Sequence, residues 1–167
     1  MSKILRRSFA TRWLALLGTF GSLRAQTKKE KAMKQTRLSN PATIHKPNGY
    51  SHVAEIASGK VVYISGQVAL NKDGQLVGRD DFAAQAQQVF ANLAEALKSV
   101  GASFADVVKL NYFCADRVDR GQMAAVRSTR DRYVNTQAPP VSTFVFVSSL
   151  VNPDWLIEIE AVAVVNE

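Results

Sequence analysis

The segment Ala138–Val165, APPVSTFVFVSSLVNPDWLIEIEAVAVV, decides the fold. Pro139 and Pro140 cannot sit inside a helix, because proline lacks an amide hydrogen and clashes with the preceding turn. β-Branched and aromatic residues then alternate from Val141 to Val147, which predicts a strand. A second strand follows over Leu156–Val165, with Ile157, Ile159 and Ala161 on one face and Glu158 and Glu160 on the other. Asn152-Pro153-Asp154 between them has turn chemistry, so the two strands are expected to be neighbours. Two carboxylates in an apolar strand need a reason, since burying an unpaired charge is expensive. Either that face is hydrated, or it forms a polar cleft in which Glu158 transfers a proton.

Working back from this segment, residues 121–133 predict a short helix with Arg127, Arg130 and Arg132 on its solvent side. Val107–Phe113 reads as a strand, apolar on both faces apart from Lys109 and Asn111. The clearest helix lies before it. Phe82, Ala86, Val89, Phe90, Leu93, Leu97 and Val100 recur at helical spacing, Asp80 or Asp81 can cap the start, and Gly101 suits a left-handed end. Tyr50–Ile56 and Val61–Gln67 read as two strands joined by a hairpin turn at Ala57-Ser58-Gly59-Lys60. The expected order is ββαβαββ. Val61 and Tyr63 oppose Val62 and Ile64, and Val145 and Val147 oppose Phe144 and Phe146. A sheet apolar on both sides needs two covers, and two helices supply only one. The expected second cover is another copy of the chain.

The chain has 167 residues, 47% of them hydrophobic, which suits one domain with an appendage. Its net charge of +7 is concentrated at the start: residues 1–32 hold eight basic residues against Glu30 alone, leaving 13 bases and 13 acids beyond. The folded part therefore lacks the basic excess of a nucleic-acid binder. Cys114 is the only cysteine, which excludes an internal disulfide and any cysteine-rich metal site. Residues 1–32 read as a targeting leader, residues 33–48 as a polar arm with Pro41 and Pro47, and residues 49–167 as the domain. A basic start, an apolar run over Trp13–Leu23 too short to span a bilayer, and Leu23-Arg24-Ala25 before Gln26 follow the order of a cleavable export signal. Arg6-Arg7-Ser8-Phe9 resembles a twin-arginine core. A mitochondrial transit peptide and a true start at Met33, which would leave the protein cytoplasmic, are the other two readings. No stable membrane association is expected once the leader is removed.

Five short motifs then fall in register. They are Asn48-Gly49-Tyr50-Ser51, Ile64-Ser65-Gly66-Gln67, Ala83-Ala84-Gln85-Ala86, Asp106-Val107-Val108-Lys109 and Ile157-Glu158-Ile159-Glu160-Ala161. Together, over about residues 40–165, they closely resemble the RidA (YjgF/YER057c) family. The resemblance implies a chorismate-mutase-like α+β fold with two helices on one face of the sheet, assembled as a homotrimer with clefts between subunits. It also implies hydrolysis of reactive 2-enamines and 2-imines to 2-oxo acids and ammonia, with neither cofactor nor metal.

Carried over residue by residue, the resemblance makes Glu158 the catalytic carboxylate that positions water or exchanges a proton. Ser65, Gly66 and Gln67 line the implied cleft, as does Tyr50. In the deaminating subgroup the strand after the proline reads Pro-x-Arg-Ser, and that arginine grips the substrate carboxylate at two points. Here Pro140-Val141-Ser142-Thr143 puts Ser142 in the arginine's place and Phe144 in that of a small cleft residue. Arg127 falls near a cleft-facing position of the relatives, although a solvated helix face is the preferred account of it. Ser65 has no His/Asp setting, which excludes serine-nucleophile chemistry. Two functions follow from these residues. One is a deaminase of altered range, in which Ser142 with Phe144 favours a less acidic, bulkier substrate; the alternative is a trimeric small-molecule-binding module without catalysis. A ribonuclease is disfavoured by the neutral fold and by the absence of a basic and aromatic surface pattern.

Overall fold

A computed structural model of the chain describes residues 33–166. The leader, with its arginine pair and cleavage site, lies outside the described residues. Eight elements follow in order: β1 (Gln35–Ser39), β2 (Val53–Ser58), β3 (Lys60–Gln67), α1 (Phe82–Ser99), β4 (Val107–Ala115), α2 (Met123–Arg130), β5 (Val141–Val147) and β6 (Ile157–Val165). Strands β3, β6, β4 and β5 form a four-stranded sheet in that order, and β1 with β2 forms a separate two-stranded ribbon.

The closing strands match their expected spans, but they are not neighbours. β4 lies between them, parallel to β5 and antiparallel to β6. β4 is the strand most completely buried on both faces, so it takes an interior position, where neither edge is left open. Residues 148–156 are long enough to cross the width of one strand, roughly 10 Å for two inter-strand steps. The turn chemistry is nonetheless real: Asn152 Oδ1 accepts from the Asp154 amide at 2.9 Å and turns the chain into β6.

The hairpin between β2 and β3 does not form. β2 pairs with β1, which arises from the segment expected to be a polar arm, and β3 pairs with β6. A corner at Gly59 separates them. Its φ of +118° is open to glycine, and a Cβ there would lie 2.7 Å from a Val164 methyl carbon. One residue therefore turns the chain from the ribbon into the main sheet.

Helix α1 begins at Asp81, whose side chain accepts from the Ala84 amide at 2.9 Å, and ends through Gly101 at φ +72°. It buries Phe82, Ala86, Val89, Phe90, Leu93 and Leu97 against the sheet, while Val100 turns out to solvent at the cap. Gln85 is fully buried in the same face. Its amide donates to the Gly78 and Asp154 carbonyls at 3.1 and 2.9 Å, and its oxygen accepts from the Leu156 amide at 2.8 Å. One side chain thus pins α1 to the entry of β6. Cys114 is buried in the core, and burial pushes its thiol up to about 12, so it behaves as a small hydrophobe.

Helix α2 is shorter than expected because a 3₁₀ turn, Arg120–Gln122, occupies its predicted first turn. Its arginines do not share one solvent face. Arg130 is only 15% exposed and bonds to Asp131 and to the Gly49 carbonyl. The face of the sheet away from the helices carries exposed apolar side chains. Tyr63, 80% exposed, stands there with Val61 and Val145.

Candidate functional site

The site residues separate into two groups, and strand parity explains the division. Successive residues of a strand point to opposite faces. On β4, Tyr112 faces the helices and pairs with Ile159 and Phe144, whereas Phe113 faces away and pairs with Glu158 and Val145. Ser142 and Phe144 therefore lie on the helix side, and Glu158 lies on the uncovered side.

The helix-side group lines a cavity of about 340 Å³. Ser142, Phe144 and Phe146 of β5 form one wall with Tyr112 of β4; Met123, Val126, Arg127 and Arg130 of α2 form the other; Asn48, Gly49 and Tyr50 close one end. Its placement is local chemistry. The Ser51 hydroxyl donates to the Pro139 carbonyl at 2.7 Å and its amide to the Pro140 carbonyl at 3.3 Å, fixing Tyr50 beside the start of β5. Arg130 holds the Gly49 carbonyl at 2.8 Å. His45 and the Tyr50 hydroxyl share a hydrogen bond of 2.8 Å, and the His52 ring reaches the His45 carbonyl at 2.8 Å. The Tyr112 ring stacks on Phe144 at 5.2 Å, and Arg120 sits 4.2 Å over the Phe146 ring. The Tyr112 hydroxyl is buried without a hydrogen-bond partner among the described residues, and burial raises its pKa, which keeps it a proton donor.

The second group is Glu158 with the Ser65–Gln67 segment. A Cβ on Gly66 would lie 1.8 Å from a Glu158 carboxylate oxygen, so only glycine leaves room for that carboxylate. Gln67 donates back to the Ser65 carbonyl at 3.1 Å. The Glu158 carboxyl is held above its ordinary value of 4.5, first by burial and then by the like charge of Glu160. Glu160 itself is engaged across the strands, accepting from the Asn111 side-chain amide at 2.6 Å. The two glutamates of the motif are thus in different settings: Glu160 is tied down, and Glu158 makes no hydrogen bond among the described residues.

Tyr50, Arg127, Ser142 and Phe144 line one cavity, while Glu158 lies against Gly66 of the Ser65–Gln67 segment. No single copy brings the two groups together. Tyr112, Met123, Val126 and Phe146 are cavity residues that the sequence reading did not single out. Only Tyr112 carried a signal, a hydroxyl in an otherwise apolar strand.

The sheet, the two helices on one face and the divided site define an α+β protein of the chorismate-mutase-like class. A family model described as Endoribonuclease L-PSP matches residues 41–165. The chain belongs to that family, the RidA family of the resemblance. Protein DfrA of Myxococcus xanthus is 35% identical over 115 residues, 69% of this chain and 84% of its own length. A 2-iminobutanoate/2-iminopropanoate deaminase of Dermatophagoides farinae is 28% identical over 77% of this chain and 95% of its own. The crystal structure of a Rid-family protein of unknown function from Yersinia pestis superimposes with a TM-score of 0.69 at 39% identity. That alignment covers 78% of this chain and 98% of the other.

Proposed function

We propose that this protein hydrolyses 2-imino acids and their 2-enamino tautomers to 2-oxo acids and ammonia. The site is formed by two copies: Glu158 and Gly66 of one face the Tyr50–Ser142–Phe144 cavity of the next. The carrying observation is the Glu158 carboxyl over Gly66, raised in pKa and free of hydrogen-bond partners among the described residues, beside a tied-down Glu160. A carboxylate in that state takes a proton from water as the oxygen adds to the C=N carbon. It then returns that proton to the carbinolamine nitrogen, and as the C–N bond breaks it takes the proton of the new hydroxyl, so that ammonia leaves and the carbonyl forms. The uncovered apolar face supplies the surface through which copies meet, and a closed cyclic assembly brings each Glu158 to a neighbour's cavity.

Phe144 and Phe146 in the cavity wall favour substrates bulkier than 2-iminopropanoate. The similarity to a named 2-iminobutanoate/2-iminopropanoate deaminase supports the reaction class. Ser142 in the arginine's place favours a second reading, a binding module without turnover. Release of ammonia or 2-oxo acid from freshly generated imino acids distinguishes the two. The enzyme reading expects turnover that Glu158→Gln lowers by about 10²-fold or more. Saturable binding of the 2-oxo acid without turnover supports the module. Residues 1–32 are read as an export leader, and a mature chain starting at Gln26 would support that.

A further inference from the structure

The cavity raises a question that its wall of β5 does not answer: what would hold an acid there. Two arginines line it and no carboxylate does. Arg130 is already committed, through Nε and Nη2 to Asp131 and through Nη1 to the Gly49 carbonyl. Arg127 is not. Arg37, Arg79, Arg117, Arg120, Arg130 and Arg132 each bond to a carboxylate, a carbonyl or a hydroxyl. Arg127 makes no such contact among the described residues, although it lies on the cavity wall facing Ser142. Arg127 is exposed at the cavity wall, and its guanidinium has five donors that no group among the described residues receives.

The buried, unpartnered Tyr112 hydroxyl at the base of the same cavity is a second, independent sign that the pocket is built for a polar guest. Beside the polar Asn48, Tyr50 and Ser142, the apolar part of the lining is formed by Met123, Val126, Phe144 and Phe146. A small acid such as a three-carbon one would leave these side chains without contact. A carboxylate bearing an aromatic or branched aliphatic side chain fills them.

We infer that Arg127 is the carboxylate anchor of this cavity, taking from helix α2 the charge that the β5 position occupied by Ser142 does not supply. The ligand class is a 2-oxo or 2-imino monocarboxylate with a large apolar side chain. The imino substrate rests on the deaminase reading, whereas the anchoring of a carboxylate does not. Arg127 is a binding residue and takes no part in the proton transfers assigned to Glu158.

The test is calorimetric titration of the full chain and of its Glu158→Gln variant with 2-oxo-3-phenylpropanoate, its neutral methyl ester, and pyruvate. Arg127→Gln and Arg127→Lys are titrated alongside; Arg127 is exposed and bonded to nothing in the fold, so both variants fold. The expected result is binding of the aromatic acid that weakens at least about tenfold in Arg127→Gln, less in Arg127→Lys, with the ester unaffected and pyruvate weaker throughout. Equal losses for acid and ester, unchanged acid binding in Arg127→Gln, or no binding of the acid to the wild type overturns the inference. Arginine-dependent binding without imino-acid turnover would leave the anchor standing and remove the deaminase. Turnover indifferent to Arg127 would do the reverse.

Discussion

Glu158 and Glu160 are chemically identical and two residues apart, yet their surroundings give them different work. Glu160 is bonded to Asn111, while Glu158 lies over Gly66 with its carboxyl raised by burial and by Glu160. A raised carboxyl pKa keeps the acid form to higher pH, so a reaction that needs the carboxylate gains activity as pH climbs through that shifted value. The ascending limb of the pH profile is therefore expected above the ordinary 4.5 and is absent in Glu158→Gln. Glu160→Gln removes the like charge and should move the limb down without abolishing it; a limb that persists in Glu158→Gln would show that Glu158 does not govern it. The sequence made Glu158 and Ser142 visible as candidates, because each occupies a position in a recognisable motif. It did not reveal that they face opposite ways. That depends on which β4 residue pairs with each, Phe113 for Glu158 and Tyr112 for the Phe144 face, and pairing register is a long-range property.

At the scale of elements, α1, β5 and β6 were readable almost to the residue, since each carries its own periodicity and its own stop signals. Strand adjacency was not. Val141–Val147 and Ile157–Val165 look like a hairpin locally, and only the demand of β4 for burial on both faces separates them. β1 was missed for a different reason: Gln-Thr-Arg-Leu-Ser has no apolar alternation to read, and it becomes a strand by pairing with β2. Gln85 was quoted within a motif, but its service as a three-bond pin between α1, Gly78 and β6 is visible only in the fold. Gln85→Leu keeps the volume and leaves two buried carbonyls and an amide unpaired. It should lower unfolding free energy by roughly 2–4 kcal/mol in urea titrations, and a change within ±0.5 kcal/mol would mean that water replaces the pin.

For the whole molecule, the governing fact is a sheet with one face covered by helices and the other bare, and a site divided between those faces. Tyr63, Val61 and Val145 are exposed on the bare side, where Glu158 also lies. In the proposed assembly, burying that face against a second copy would satisfy the apolar surface and carry Glu158 toward a cavity that its own chain does not offer. The same division explains why neither half resembles an active site by itself.

The most direct measurement of this account is complementation between two inactive variants. Glu158→Gln has an intact cavity and no carboxylate; Ser142→Trp has the carboxylate and a filled cavity. Each alone should be inactive on an aromatic 2-imino acid. Refolded together in equal amounts, they should recover about a quarter of the wild-type activity, because random assembly pairs an intact cavity with a neighbour's intact Glu158 at one site in four. Recovery indistinguishable from zero, in mixtures shown to contain both variants in one assembly, would contradict the shared site, as would a wild type that releases no ammonia.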